Sequence, residues 1–229
     1  MRSNFNLAVI SFNVEALLKT SDLLNSVSIL FFSIYSNITS IVLLLERALA
    51  EYTGAPYAVM TDCCTHALEL CFRLKQVKRV RFTSYTYLSI PMLMHKLGIE
   101  YELVPEKWTG EYRFYGTDIW DSARKVERGM YQAGQMQCLS FGYGKPLHIG
   151  HGGAILVDDV EIYDQLSQMR YDGRDLNISP WEQQRSFRVG YHYKPAIEDA
   201  VLGLEKLSVL EEQSKYHQYP DLREIEIHD

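Results

Sequence analysis

Hydrophobic positions recur along the chain with two periods, one that suits helices and one that suits short strands. Leu43, Leu44, Ala48 and Leu49 share one helical face, and Gly54 predicts the end of that helix. The same period predicts helices over 65–74, 91–97, 164–169 and 197–210, and Gly98 predicts the end of the second of these. Short apolar runs predict strands over 57–60, 80–82, 101–104, 117–120, 138–141 and 154–157.

Strands that alternate with helices predict βαβ units and an α/β fold with a mostly parallel sheet. In such a sheet, ligands bind beyond the carboxyl ends of the strands. The residues that directly follow the predicted strands are therefore the candidates for a site. They are Thr65, Tyr87, Asp121 and the stretch 140–145.

Composition narrows the class of protein. The 229 residues are 47% hydrophobic and 23% charged, which is typical of a globular chain with one large domain. A net charge of -6 with scattered basic residues argues against a nucleic-acid partner. The four cysteines lack zinc-site spacing, and a chain of this size does not need disulfides; they are Cys63, Cys64, Cys71 and Cys138. We therefore expect a reducing, cytoplasmic compartment. The uncharged stretch 27–45 is near the length of a membrane span, but its Ser, Thr and Asn content argues against a membrane segment.

Lys145 is the first candidate for chemistry, because it follows a predicted strand on the glycine-rich stretch SFGYGK at 140–145. Glycines let the backbone approach a ligand closely. A desolvated lysine can lose its proton and attack a carbonyl to form a Schiff base. Taken alone, however, Lys145 is more typical of an ordinary surface lysine.

Three further positions carry weaker signals. Asp121, at a strand's carboxyl end, is placed either to meet a ligand or to cap the next segment. Thr65 opens a helix whose free N–H groups suit a phosphate, although taken alone a capped helix without a ligand fits better. Tyr87 is placed to stack on a flat heterocycle or simply to pack against its neighbours.

Taken together, these positions belong to seven motifs whose order resembles the DegT/DnrJ/EryC1/StrS family of pyridoxal-phosphate-dependent sugar aminotransferases. The resemblance covers about residues 45–210. The motifs are LERALAEYTGAPYAVM from residue 45, CCTHAL at 63–68, the pair Thr86-Tyr87, WDSA at 120–123, SFGYGK at 140–145, GHGG at 150–153 and GYHYKPAIEDAVLGLEKL at 190–207.

The resemblance implies a three-layer αβα fold, the large domain of the pyridoxal-phosphate-dependent transferases. It divides the chain into an atypical N-terminal segment at 1–36, the large domain at 37–210 and a C-terminal remnant at 211–229. The family's C-terminal small domain is then largely absent. The implied activity is transamination of a nucleotide-linked keto-sugar for polysaccharide biosynthesis, with pyridoxal 5'-phosphate as cofactor and glutamate as amino donor. A homodimer is also implied.

The resemblance also implies roles for single residues. Lys145 would bind the cofactor as a Schiff base and later move a proton between substrate and cofactor. Asp121 would pair with the pyridinium nitrogen, a charge-assisted hydrogen bond that keeps the ring an electron sink. Tyr87 would stack on the ring.

At the other end of the cofactor, Thr65, Ser140 and the amides around Cys64 would hold the phosphate. Arg124 stands where the family has a His or Gln near the ring oxygen. His192 stands where the family has an Asn that reaches the phosphate from the neighbouring subunit.

Departures from the family pattern leave an alternative open. Cys64 replaces a glycine, Asp62 adds a negative charge beside the phosphate position, and the chain is short. A non-catalytic aminotransferase-like domain that binds a partner or a sugar nucleotide would have such features. The family's dehydratase branch fits less well, because it has a His where Lys145 stands. A Rossmann-type dehydrogenase would need a Gly-x-Gly-x-x-Gly motif after an early strand.

Overall fold

The computed structural model describes residues 41–211 and 219–228, which fold as one α/β unit. The strands are β1 (Tyr57–Thr61), β2 (Arg79–Thr83), β3 (Glu100–Val104), β4 (Tyr112–Arg113), β5 (Ile119–Asp121), β6 (Met136–Ser140) and β7 (Gly153–Val157). The helices are α1 (41–53), α2 (Cys64–Leu74), α3 (Ser89–Leu97), α4 (Val160–Met169) and α5 (Ile197–Ser208). The predicted segment 1–36 and most of the uncharged stretch 27–45 lie outside the described residues.

Local sequence signals fix the ends of the helices. Asp159 caps α4, because its Oδ1 accepts the N–H groups of Glu161 and Ile162 at 2.7 and 3.1 Å. Gly54 and Gly98 end α1 and α3 with φ values of 77° and 63°, a conformation that favours glycine. The predicted helix ends at both glycines are therefore confirmed.

The main sheet has the order β1-β7-β6-β5-β4, and β2 and β3 form a separate parallel pair. β5 and β6 are parallel, whereas β7 is antiparallel to both of its neighbours and β4 is antiparallel to β5. The chain returns from β6 to β7 through the loop 141–152 with no helix between them, so β7 reverses direction. The predicted α/β fold is confirmed, but the expectation of a mostly parallel sheet is wrong, because β4 and β7 make the main sheet mixed.

Helices cover both faces of the sheet, which gives three layers. Val59 and Ile155 belong to a buried cluster with α2, α3 and α4, and the next residues along each strand, Met60 and Leu156, belong to a second cluster with α1 and α5. Every residue of β6 and β7 is buried, as expected for strands covered on both sides. The predicted three-layer arrangement is therefore confirmed.

A buried ion pair joins the two faces beside β1. The guanidinium of Arg170, at the end of α4, bonds to Glu46 of α1 and donates to the carbonyl oxygen of Met60 at 2.7 Å. The N–H of Met60 donates to the same Glu46 carboxylate at 2.7 Å. This network fixes the strand that leads directly into α2. No helix among the described residues combines the length and the apolar character needed to cross a membrane.

Candidate functional site

A cavity of about 350 Å³ lies at the carboxyl ends of β1, β5 and β6, which is a typical size and place for a small-molecule site in an α/β fold. Seven of the predicted site residues line it. They are Cys64, Thr65, Tyr87, Asp121, Arg124, Ser140 and Lys145.

Asp121 is the last residue of β5 and is only 5% exposed. Its Oδ2 accepts the hydroxyl proton of Tyr112 at 2.9 Å, and its Oδ1 accepts the N–H of Ala123 at 2.9 Å. Because the Tyr112 proton is used in this bond, the Thr86 hydroxyl donates in turn to Tyr112 at 2.7 Å. A chain of hydroxyl groups thus holds the carboxylate in one orientation.

Burial raises the pKa of Asp121, although the positive charge of Lys145 and the hydrogen bond from Tyr112 oppose this shift. Burial also raises the pKa of Tyr112 well above its usual range, so its hydroxyl remains a donor. A buried carboxylate is costly when no cation compensates it. A positively charged group that entered the cavity beside Asp121 would therefore be stabilised there.

The start of α2 forms another wall of the cavity. Cys63 caps the helix, and its sulfur accepts the N–H of His66 at 3.4 Å. The hydroxyls of Thr65 and Ser89 lie 2.9 Å apart, and both residues line the cavity. Since the first N–H groups of a helix lack intrahelical acceptors, this end of the cavity suits an anion.

Cys64, which replaces the family's glycine, brings no charge to this wall. Its sulfur lies 3.8 Å from the carbonyl oxygen of Cys138, and burial raises the pKa of the thiol well above its usual range. The thiol therefore stays neutral. The first residue of β7, Gly153, is so close that a Cβ there would lie 2.5 Å from the Cys64 nitrogen.

Asp62 is not among the residues that line the cavity. Its carboxylate oxygens lie 2.7 and 2.9 Å from Nδ1 of His66, and this hydrogen bond is the main reason that the pKa of His66 rises to about 9. The ring of His66 stacks on Tyr193 with 3.7 Å between the ring centroids. The negative charge of Asp62 is thus compensated by an imidazolium, so it does not oppose an anion in the cavity.

Asp62, Cys63 and His66 also offer potential metal-ligand atoms within 4.8 Å of one another. At neutral pH, however, the protonated imidazole has no lone pair free for a cation. The ion pair between Asp62 and His66 accounts for this cluster.

Lys145 lies on the loop between β6 and β7, in a turn closed by its own N–H and the carbonyl oxygen of Gly142 at 3.2 Å. Gly144 adopts a φ of 72°, which the turn requires. Arg124 holds the loop from the other side, since its Nη1 donates to the carbonyl oxygen of Gly144 at 3.1 Å.

Three residues of the cavity region were not foreseen from the sequence. Tyr112 lies on the two-residue strand β4, which carries no periodic signal. Trp108 and Tyr219 line the cavity, with nearly parallel rings whose centroids are 6.1 Å apart. Trp108 could have been noticed as a tryptophan in a polar stretch. Nothing in the sequence indicates that Tyr219 packs against it.

His192 is the one predicted site residue that the structure does not bring to this cavity. Its side chain is 65% exposed, and its Nδ1 lies 3.2 Å from both carboxylate oxygens of Asp172. The role expected for it was in the site of a neighbouring subunit, and that role stays a prediction.

Comparisons with known proteins show the family and the fold of the chain. The family model described as DegT/DnrJ/EryC1/StrS aminotransferase family matches residues 31–104 and 123–219. The fold is similar to that of a DegT DnrJ EryC1 StrS aminotransferase from Brucella abortus, with a TM-score of 0.61, 19% identity, and coverage of 74% of this chain and 58% of that one.

Two other solved structures share the fold. PseC from Helicobacter pylori, an aminotransferase involved in the biosynthesis of pseudoaminic acid, has a TM-score of 0.58 and 15% identity over 74% of this chain and 58% of its own. A GDP-4-keto-6-deoxymannose-3-dehydratase with bound GDP-perosamine has a TM-score of 0.59 and 16% identity over 74% of this chain and 60% of its own. The chain spans less than two thirds of the length of these proteins. No curated protein sequence matches it.

Proposed function

Since this chain belongs to the DegT/DnrJ/EryC1/StrS aminotransferase family, we propose that it binds pyridoxal 5'-phosphate through Lys145 and transfers an amino group to a nucleotide-linked keto-sugar. One observation carries the proposal. Lys145, the buried carboxylate of Asp121 and the start of α2 all line a single cavity. An amine, a carboxylate and an anion-binding helix end are the three features that this cofactor needs.

The residues present fit the cofactor at each of its functional groups. The buried carboxylate of Asp121, whose pKa stays raised despite the positive charge of Lys145, suits the pyridinium nitrogen. The first turn of α2, with Thr65 and Ser140, suits the phosphate. Tyr87 lies at the cavity wall, where its ring can stack on the cofactor, and Arg124 offers donors to the ring oxygen.

When bound, pyridoxal 5'-phosphate supplies an electron sink that stabilises negative charge at the substrate carbon. The part of the protein is to bind, orient and transfer protons. Lys145 would take up and return the proton at that carbon, because its amine is on the loop that faces the cavity. Tyr112 would keep the Asp121 carboxylate directed at the ring nitrogen.

The proposed substrates are a nucleotide-linked keto-sugar and glutamate as amino donor, as expected from the family. The family also contains dehydratases, and Lys145 distinguishes the two reactions, because the dehydratase branch has a His at this position. Transamination is therefore proposed over dehydration.

A homodimer in the cytoplasm is part of the proposal. The exposed side chain of His192 is compatible with a role in the cavity of a second copy, as the family pattern implies. The four cysteines are free thiols, and the sulfurs of Cys71 and Cys138 share a hydrogen bond at 3.6 Å.

The first test is to map where the cofactor attaches. The purified chain is mixed with pyridoxal 5'-phosphate, reduced with borohydride and digested, and the labelled peptide is identified by mass spectrometry. We expect the label on Lys145, no label in Lys145→Ala, and full labelling in the control Lys107→Ala, whose residue is exposed outside the cavity.

A folded chain without label would overturn the proposal and favour the non-catalytic alternative. If labelling succeeds, the second test is glutamate-dependent formation of an amino-sugar from nucleotide-linked keto-sugars, followed by chromatography. Loss of the sugar hydroxyl without gain of an amino group would assign the chain to dehydration instead.

A further inference from the structure

The C-terminal segment 219–225 returns to the cavity from far along the chain. Leu222 is 5% exposed, and its N–H donates to the carbonyl oxygen of Ser84 at 2.9 Å. Ser84 begins the loop after β2 that also carries Thr86 and Tyr87 of the cavity wall. The segment is thus docked on the site by a buried side chain and a backbone hydrogen bond.

The docked segment has a defined local structure. Leu222–Glu224 form a short 3-10 helix, and Asp221 caps it by accepting the N–H of Arg223 at 3.1 Å. The Arg223 guanidinium also donates to the Asp221 carboxylate, at 3.0 and 2.6 Å. These contacts fix the path of the chain only three residues after Tyr219.

Tyr219 itself contacts the guanidinium of Arg124 in two ways. Its hydroxyl oxygen lies 3.5 Å from Nη2 of Arg124, and its ring centroid lies 5.7 Å from Cζ. The contact of the cation with the aromatic face and its hydrogen bond to the hydroxyl of the same tyrosine are both favourable. Trp108 also packs against Tyr219, with a ring centroid 6.1 Å away, so both an aromatic ring and a cation contact Tyr219.

Arg124 is therefore held at two points, by Tyr219 at Nη2 and by the carbonyl oxygen of Gly144 at Nη1. Gly144 is the residue before Lys145. These two bonds leave other N–H groups of the guanidinium available, and Nε is buried with no acceptor within the described part of the chain. A guanidinium held in this way at a cavity wall is suited to an anionic oxygen of a ligand.

We propose that Tyr219 is a positioning residue, which holds the Arg124 guanidinium against the ring oxygen of the bound cofactor and, with the segment 219–225, closes one wall of the cavity. The inference rests on the proposed function. It adds a residue that acts through Arg124, although 95 positions separate the two along the chain.

The consequence that can be measured is the protonation of the lysine-bound cofactor. A cation near the ring oxygen disfavours a further proton on the cofactor, so it lowers the pH at which the visible absorbance titrates. In Tyr219→Phe the hydrogen bond to Nη2 of Arg124 is lost, so the guanidinium keeps only the contacts to Gly144 and to the aromatic ring. We expect the midpoint of the spectroscopic pH titration to rise by roughly 0.5 to 1 unit.

Affinity supplies a second readout. Tyr219→Ala removes the ring as well as the hydroxyl, so we expect the dissociation constant for pyridoxal 5'-phosphate to rise by about tenfold. The matched controls Tyr115→Phe and Tyr115→Ala change a tyrosine outside the cavity, which bonds to Glu106, and should leave both readouts as in the unmodified chain. Thermal unfolding of each variant checks that the fold is intact.

A double-mutant cycle tests whether Tyr219 acts through Arg124. In an Arg124→Gln background, Tyr219→Phe should no longer move the titration midpoint, because the cation is gone. An equal shift in both backgrounds, or no shift in either, would overturn this inference alone, provided that the unmodified chain is labelled at Lys145. Absence of that label would instead overturn the proposed function, and this inference with it.

Discussion

The hydroxyl of Tyr112 lies 2.9 Å from Oδ2 of Asp121 and donates its proton there, and the two residues face each other across β4 and β5. This pair sets the orientation and the charge that the cavity presents at Asp121, with and without a ligand. Asp121 is kept in one orientation, but its charge is buried and its pKa is raised. The buried charge of Asp121 therefore destabilises the protein without a ligand and stabilises a cationic ligand in the cavity.

Asp121→Asn should stabilise the chain without cofactor and weaken cofactor binding. A carboxyl whose folded pKa is raised costs stability at neutral pH, and that cost disappears as the pH falls through the folded pKa. The neutral amide avoids it, so the free energy of unfolding at pH 7 should rise by on the order of 1 kcal/mol. Urea unfolding and the yield of borohydride-reduced adduct measure the two effects. A less stable variant with full adduct yield would contradict this account.

Tyr112→Phe should lower both stability and cofactor affinity. The change removes a buried donor from Asp121 and leaves the Thr86 hydroxyl without its acceptor, a loss of about 1 to 2 kcal/mol. Equilibrium unfolding in urea measures it. The control is Tyr101→Phe, whose hydroxyl bonds only weakly, at 3.2 Å, to an exposed His95. If the two variants unfold at the same urea concentration, the hydrogen bond from Tyr112 to Asp121 contributes nothing to the free energy of unfolding.

Gly153→Ala should disturb the start of α2. The added Cβ would lie 2.5 Å from the nitrogen of Cys64 and 2.7 Å from the carbonyl carbon of Cys63, and neither backbone atom can move independently. Overpacking of this kind costs roughly 1 to 3 kcal/mol. The matched variant Gly142→Ala places its Cβ no closer than 3.8 Å to Ser140 Oγ, so it should unfold at nearly the normal temperature. Equal melting temperatures would refute the close approach.

The ion pair of Asp62 and His66 should give a stability that depends on pH. The pKa of His66 in the folded protein, about 9, exceeds the ordinary histidine pKa of 6.5, so the stabilisation is complete below about pH 6.5 and is lost as the pH rises through about 9. Denaturant unfolding of the unmodified chain and His66→Gln should therefore differ most at pH 6, by on the order of 1 kcal/mol, and converge by pH 10. A difference that grows with pH would have the wrong sign for this pair.

The sequence was sufficient for the elements that carry strong local signals. Helix α1 ends before Gly54, and α3 before Gly98, as those glycines predict. The candidates after the strands also proved to be neighbours, because the carboxyl ends of β1, β5 and β6 meet at one edge of the sheet.

Contacts that depend on tertiary structure could not be read from the sequence in the same way. Strand β4 has two residues and gives no periodic pattern, so Tyr112 could not be related to Asp121. The orientation of the Asp62 side chain could not be predicted either, because it depends on a hydrogen bond to His66 and on the packing of Tyr193 against the His66 ring. Tyr219 reaches Arg124 across 95 positions, a separation at which no local pattern is informative.

The docking of Leu222 on Ser84 has a consequence for how the protein is made. Synthesis proceeds from the N-terminus, so the strands and Lys145 leave the ribosome well before the segment 219–225. A nascent chain can thus assemble the sheet and the part of the cavity around Asp121 while the wall formed by Tyr219 is still missing. The cavity gains that wall only after residues 219–225 have been synthesised, so its final shape is set after the sheet that carries Lys145.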